Sequence, residues 1–232
     1  MAPDAHPLSI RVDEMRSNWI RAWLATVALV VAAVVVTRDR VSWLLTVEEP
    51  VLGWLLDGTD TSRWEQAQVI SSPLVLIGGT LIMVAIGLFF DWRVAVTVVI
   101  ASAIGTVVTL LLQGVVGRMP PNPQLSGESF PSIEVTQTGV FWGLVVLMTW
   151  WLRLPRLVSQ LVVELGVVLT LIVAIRQVLN GEIWPSDAVG SALVVALSLI
   201  TAALVFESRP AELPWQRGSR NNQTAATASS IQ

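Results

Sequence analysis

The chain has 232 residues, 53% of them hydrophobic and 13% charged, with mean hydropathy +0.67. Soluble domains carry about 25% charged residues, so this composition excludes an ordinary soluble fold and points into lipid. The net charge of −3 comes with no basic patch able to neutralise phosphates in number, so no nucleic-acid partner is expected. The absence of cysteine excludes disulfides, thiolate zinc sites and thiol nucleophiles.

Residues 1–18 form a polar leader of mixed charge that contains the only histidine, His6. A first apolar run, Ala22 to Thr37, lies between Arg21 and the cluster Arg38-Asp39-Arg40. It is short for a bilayer that needs about 20 residues, but the flanking arginines and Trp19 can snorkel to the interfaces. Residues 41–65 alternate apolar clusters with Glu48, Glu49, Asp57, Asp60, Arg63 and Glu65. Neither cluster can span, and the pattern predicts an amphipathic segment in the interface, anchored by Trp43, Trp54 and Trp64.

Four uncharged runs follow: Gln66–Phe90, Val94–Gly117, Val135–Leu152 and Ala188–Phe206. A fifth, Leu157–Ile175, is interrupted only by Glu164. Each is long enough to cross about 30 Å of hydrocarbon. The expectation is an all-α membrane protein: a six-transmembrane-helix bundle over residues 19–206, with the amphipathic segment between the first two spans. Residues 207–232 read as a disordered tail.

With the N-terminus inside, nine arginines fall on the inner side and five on the outer. That excess places both termini in the cytoplasm, and the all-arginine basic set suits a GC-rich bacterial genome and its plasma membrane. Three proline-, glycine- and polar-rich segments then share the outer face. They are the exit of the third span (Gln113-GVVGRMPPNP), the entry to the fourth (Ser129-FPSIEVT) and the fifth-to-sixth connection (Arg176-QVLNGEIWPSD). Their convergence beside bland apolar helices marks a candidate site.

The order and spacing of these segments resemble the type 2 phosphatidic acid phosphatase superfamily, which includes vanadium haloperoxidases. The resemblance covers roughly residues 20 to 206. Ser129-Phe-Pro-Ser132 matches the start of that family's PSGH motif, and Trp184-Pro-Ser-Asp187 the end of its SR-x5-H-x3-D motif. GVVGR, before the prolines, suits its K-x6-RP motif. The resemblance implies a phosphohistidine mechanism, in which one histidine attacks phosphorus, an aspartate orients it, a second histidine protonates the leaving alkoxide, and lysine and arginines hold the phosphate.

This sequence departs from that pattern at every chemical position. Gln113 stands for the lysine and Pro120 for the first-motif arginine; Glu134 replaces the acid histidine and Ile133 the glycine. Aligned without a gap, Ile183 stands at the nucleophile and Gln177 at the arginine. With one extra loop residue, Arg176 is the arginine and Glu182 lies near the nucleophile. The candidate site is then Arg118, Ser132, Glu134, Arg176, Glu182 and Asp187, with Glu128 nearby. Its carboxylates would repel a phosphate dianion.

Several of these residues carry two readings. Glu134 is a substitute general acid or cation ligand, or a first-turn carboxylate behind a Ser132 N-cap. Asp187 is a site residue or the N-cap of the sixth span. Arg118 holds a lipid phosphate or sits at the interface among headgroups. Glu164 serves a proton path, or faces the bundle hydrogen-bonded near Gln160.

The implied function is that of a non-catalytic pseudoenzyme, binding a lipid phosphate or polyprenyl phosphate or serving as a partner subunit in envelope lipid metabolism. No cofactor belongs to that reading. One alternative is a phosphatase rebuilt around a divalent cation on Glu134, Glu182 and Asp187. Another is a lipid transporter or scramblase-like protein using Glu164.

Overall fold

A computed structural model describes residues 7–38, 42–56 and 68–207. Among them the regular elements are helices: α1 (Pro7–Arg38), α2 (Ser42–Leu56), α3 (Pro73–Phe90), α4 (Trp92–Val116), α5 (Ile133–Trp151), α6 (Arg156–Leu179) and α7 (Pro185–Glu207). All but α2 contain a stretch long and apolar enough to cross a membrane. The chain is an all-α integral membrane protein, a six-span bundle with α2 inserted between the first and second spans. The leader is helical from Pro7 onward, while Trp64 and the tail from residue 208 lie outside the described residues.

The bundle is apolar on its outside, as lipid requires: Leu74, Ile77 and Leu81 of α3 and Leu161, Val167 and Leu171 of α6 are exposed. Its centre packs Met83 of α3 and Val94, Val98 and Ala101 of α4 with Val140, Leu144 and Leu147 of α5 and Ala202 of α7. Buried hydroxyls fold back onto their own helices, Thr97 donating to Arg93 O at 2.8 Å and Ser198 to Val194 O at 2.8 Å. Small residues set the helix spacing. A Cβ on Gly139 would lie 2.6 Å from Val195, and one on Gly143 2.2 Å from Leu199, so this small-xxx-small pair brings α5 close against α7.

Turns carry the expected chemistry. Asp91 caps α4 by accepting Arg93 N–H at 3.0 Å. Gly117, at φ 58, ends α4 in the left-handed conformation that glycine adopts without strain, which turns Arg118 back across the end of the bundle. That end gathers the start of α3, the close of α4, the start of α5, the close of α6 and the start of α7, and α2 packs onto it.

Helix α2 is amphipathic with its polarity reversed. Glu48 and Leu52, one turn apart, face the bundle, and Leu52 joins a core of Val135, Val173, Ala174, Val178 and Ile183. Val47, Val51 and Trp54 face outward, Trp54 at 77% exposure. A helix at a lipid boundary can present apolar side chains outward only if its inward polar group finds a partner. For Glu48 that partner is Arg118.

Candidate functional site

Two arginines organise the α2-covered end of the bundle, and each is held by two carboxylates. Arg118, in the connection from α4 to α5, donates from Nη2 to Glu48 Oε2 and from Nη1 to Asp187 Oδ1 at 2.7 Å and Ser186 Oγ at 2.7 Å. The side chains are deeply placed, Arg118 at 12% exposure and Glu48 at 6%. The Trp184 ring covers the guanidinium, its centroid 5.1 Å from Cζ. Glu48 Oε1 also accepts the Ser186 backbone N–H at 2.9 Å, in the first turn of α7 where amide hydrogens lack helical partners.

Asp187 lies one turn inside α7 rather than at its N-cap. Its Oδ2 accepts the Trp184 N–H at 2.9 Å, the reach-back half of a capping box, while Oδ1 holds Arg118. The capping and ion-pair readings of this residue are therefore both realised by one buried carboxylate.

The second arginine, Arg176 at the end of α6, is 4% exposed and donates from Nη2 to Glu134 Oε2 at 2.7 Å and Glu182 Oε2 at 3.3 Å. Glu134 also accepts from Ser71 Oγ at 2.9 Å, and Glu182 from Asn180 Nδ2 at 3.2 Å. The Nε of Arg176 is buried without a partner, a desolvation cost that these charge-assisted bonds must outweigh.

Between the two arginines runs a buried polar chain. Ser132 caps α5, its Oγ accepting Val135 N–H at 3.3 Å and donating to Gln177 Oε1. Its own N–H donates to Ser191 Oγ at 2.9 Å, and Ser191 Oγ donates to Asp187 O at 2.8 Å. Adjacent residues of α6 thus serve different ends, Arg176 the ion pairs and Gln177 the serine.

The remaining positions singled out in the sequence are structural. Gln113 donates to Pro131 O at 3.0 Å, pinning the loop rather than reaching into the site. Pro120 offers no polar side-chain group, and Ile183 is buried in the core beneath α2. The Glu128 side chain is exposed and outside the ion-pair cluster.

Three expectations are corrected. Glu134, Glu182 and Asp187 do not surround a common cation position. Glu134 and Glu182 share Arg176, Asp187 is bound to Arg118, and no group of three potential ligands capable of holding a metal exists among the described residues. A guanidinium, with its fixed fork of donors, stands where the cation was expected. Glu164 points out of the bundle on the exposed face of α6, as does Gln160, so neither faces a central path. Glu48, finally, belongs to the site. It lies 70 residues from Arg118 along the chain, in a segment whose apolar character signalled only an interface.

An apolar groove of about 770 Å³ begins below the cluster. Its upper end is lined by Val135, Ala174 and Ala188, which lie next to Glu134, two residues before Arg176 and next to Asp187; Trp19 and Trp150 line the far end. Val135 and Trp150 are fifteen residues apart on α5, about 22 Å along the helix. The groove is bounded chiefly by α5, α6 and α7, and Thr170 is the one lining residue with a side-chain polar group other than indole. That hydroxyl is already donated to Gly166 O at 2.8 Å.

No family model matches the sequence, and no curated protein matches it. Among solved structures, the chain is similar to the crystal structure of a transmembrane PAP2-type phosphatidylglycerolphosphate phosphatase from Bacillus subtilis, with TM-score 0.67 and 14% identity. The match covers 78% of this chain and 94% of that one. The fold is that of a PAP2-type membrane phosphatase. At 14% identity the likeness extends to the helical frame and leaves the chemistry to be argued from this chain's own residues.

Proposed function

We propose that the chain is a non-catalytic lipid-binding protein of a bacterial plasma membrane, built on the membrane phosphatase frame. In this reading both termini are cytoplasmic and the ion-pair cluster faces outward. A lipid phosphate or polyprenyl phosphate would place its chain in the apolar groove and its headgroup at the cluster.

The observation that carries the non-catalytic reading is the closure of both arginines. Four carboxylates face two guanidiniums, a surplus of two formal negative charges where phosphoryl transfer needs fixed positive charge. No imidazole occurs in any span. Helix α1 is about 48 Å long and its Arg38 end adjoins α2, so Pro7 begins at the end remote from the cluster. His6 itself lies outside the described residues.

The groove supports the lipid-binding part. Its volume falls within the range of about 300–1,000 Å³ usual for ligand pockets, and its lining offers a hydrocarbon chain contact without desolvating polar groups. Purified protein should release no phosphate above blank from phosphatidic acid or a polyprenyl diphosphate, with or without Mg²⁺. Lipid retained through detergent purification should be visible by native mass spectrometry and depleted by Ala192→Phe, which narrows the groove from its open side. Phosphate release would end the non-catalytic reading, and unchanged lipid retention in the Phe variant would end the groove reading.

A further inference from the structure

Glu48 is held as a bound anion would be. One carboxylate oxygen accepts from the Arg118 guanidinium and the other from a first-turn amide of α7, while an indole covers the guanidinium. Nothing else on the inward face of α2 is polar and buried at this point, and the neighbouring inward residue, Leu52, makes only apolar contacts. The receptor is therefore assembled by the α4–α5 connection and α7, and α2 supplies its occupant.

We infer that Glu48 is the built-in occupant of an oxyanion receptor formed by Arg118, Ser186 and the first turn of α7, and that the singly charged phosphodiester of a phospholipid headgroup takes its place when α2 lifts. The inference rests on the lipid-binding reading above and names the headgroup class.

Charge counting decides that class. In the closed state the receptor holds one guanidinium and two carboxylates, Glu48 and Asp187. Exchanging Glu48 for a singly charged oxyanion leaves this count unchanged. A doubly charged phosphomonoester would add a further negative charge beside the buried Asp187, at low effective dielectric. Asp187 cannot withdraw, because its second oxygen caps α7 through Trp184 N–H.

The receptor also has access to a tail site: Ala188, the residue after Asp187, lines the upper end of the groove. The outward residues of α2, Val47, Val51 and Trp54, suit a helix that moves along a lipid boundary, since they remain in an apolar or interfacial environment when it lifts. As an intramolecular competitor tethered at high effective concentration, Glu48 keeps the receptor closed to dilute free anions.

The test uses the full chain in detergent micelles and calorimetric titration with four ligands. Dimethyl phosphate and dihexanoyl phosphatidylglycerol are singly charged diesters; methyl phosphate and dihexanoyl phosphatidic acid are monoesters. Glu48→Gln should bind the diesters about ten-fold or more tighter than the unaltered protein, and adding Arg118→Gln should abolish the gain. Gain for both diesters identifies an oxyanion receptor indifferent to source, and gain for the lipid alone identifies a headgroup site. Equal affinity of the unaltered protein and Glu48→Gln for every ligand, or preference for the monoesters, would overturn the inference.

A second measurement leaves Glu48 intact. The chain has no cysteine, so spin labels on Trp54→Cys in α2 and Leu74→Cys in α3 report the position of α2 directly. Saturating dihexanoyl phosphatidylglycerol should lengthen the distance by several ångströms, and an unchanged distance with ligand bound would overturn the displacement. Neither readout depends on lipid retention in the Ala192→Phe protein, so failure here is separable from failure of the groove reading.

Discussion

Arg176 and Glu134 meet across the seam between α6 and α5, Nη2 to Oε2 at 2.7 Å, with the guanidinium 4% exposed and the carboxylate 37% exposed. The asymmetry matters, because the deeper partner is the one that cannot recover water if the pair is broken. Glu134→Gln should therefore lower stability through Arg176 more than through Glu134 itself. The expected loss is about 1–2 kcal/mol, moderated by Glu182, and is read as a lower melting temperature in detergent.

Arg118→Gln should be the more damaging change. It leaves Glu48 and Asp187 buried without their shared cation, a defect of the class that costs about 3–5 kcal/mol. Arg118→Lys should recover only part of this, since an ammonium cannot span the two carboxylates in a fixed fork. Hydrogen exchange should rise first in α2, whose inward face depends on this contact.

Reinstating imidazoles should not reinstate chemistry. The double variant Glu134→His/Ile183→His restores histidines at the positions where the family motifs place them, yet Arg118 remains closed by Glu48 and Asp187. Phosphate release from phosphatidic acid is expected to stay at blank. Ile183 is also buried beneath α2, so the polar ring should destabilise by about 1–3 kcal/mol. A phosphohydrolase that emerged from this substitution would show the arginines to be open.

Glycines on two helices should behave oppositely. Gly143→Leu drives a side chain into Leu199 of α7 and should cost about 1–3 kcal/mol by overpacking. Gly114→Ala, with nothing within 4 Å of the new methyl, should be neutral or raise stability by up to about 1 kcal/mol. Thermal unfolding of the two variants in the same detergent checks both.

Much of this architecture was legible because hydropathy is a property of contiguous sequence. The runs from Gln66 to Phe206 correspond to five spans, and Ser132 was recognisable as a cap from its place before an apolar run. The partnerships at the bundle end were not legible, because charge sign alone does not say which residues meet. Glu134, Glu182 and Asp187 suggested one cation position when the arginines were treated as peripheral. In three dimensions Arg176 stands between the first two, and Arg118 takes the third. Glu48 escaped notice for a related reason: a 15-residue helix with apolar residues outward has the composition of an interfacial anchor, and its single inward acid has no periodic signature. The two alignments of the last motif also proved compatible, since Arg176 and Gln177 project about 100° apart on α6 and each finds its own partner.

The seam in which Gly139 and Gly143 admit Val195 and Leu199 ties α5 to α7 at short range, whereas α6 leans on α5 and α2 rather than on α7. Two walls of the groove are therefore welded and the third is hinged. Guests of different girth can be accommodated by tilting α6 alone, with the α5–α7 joint and the ion-paired rim of α7 left undisturbed.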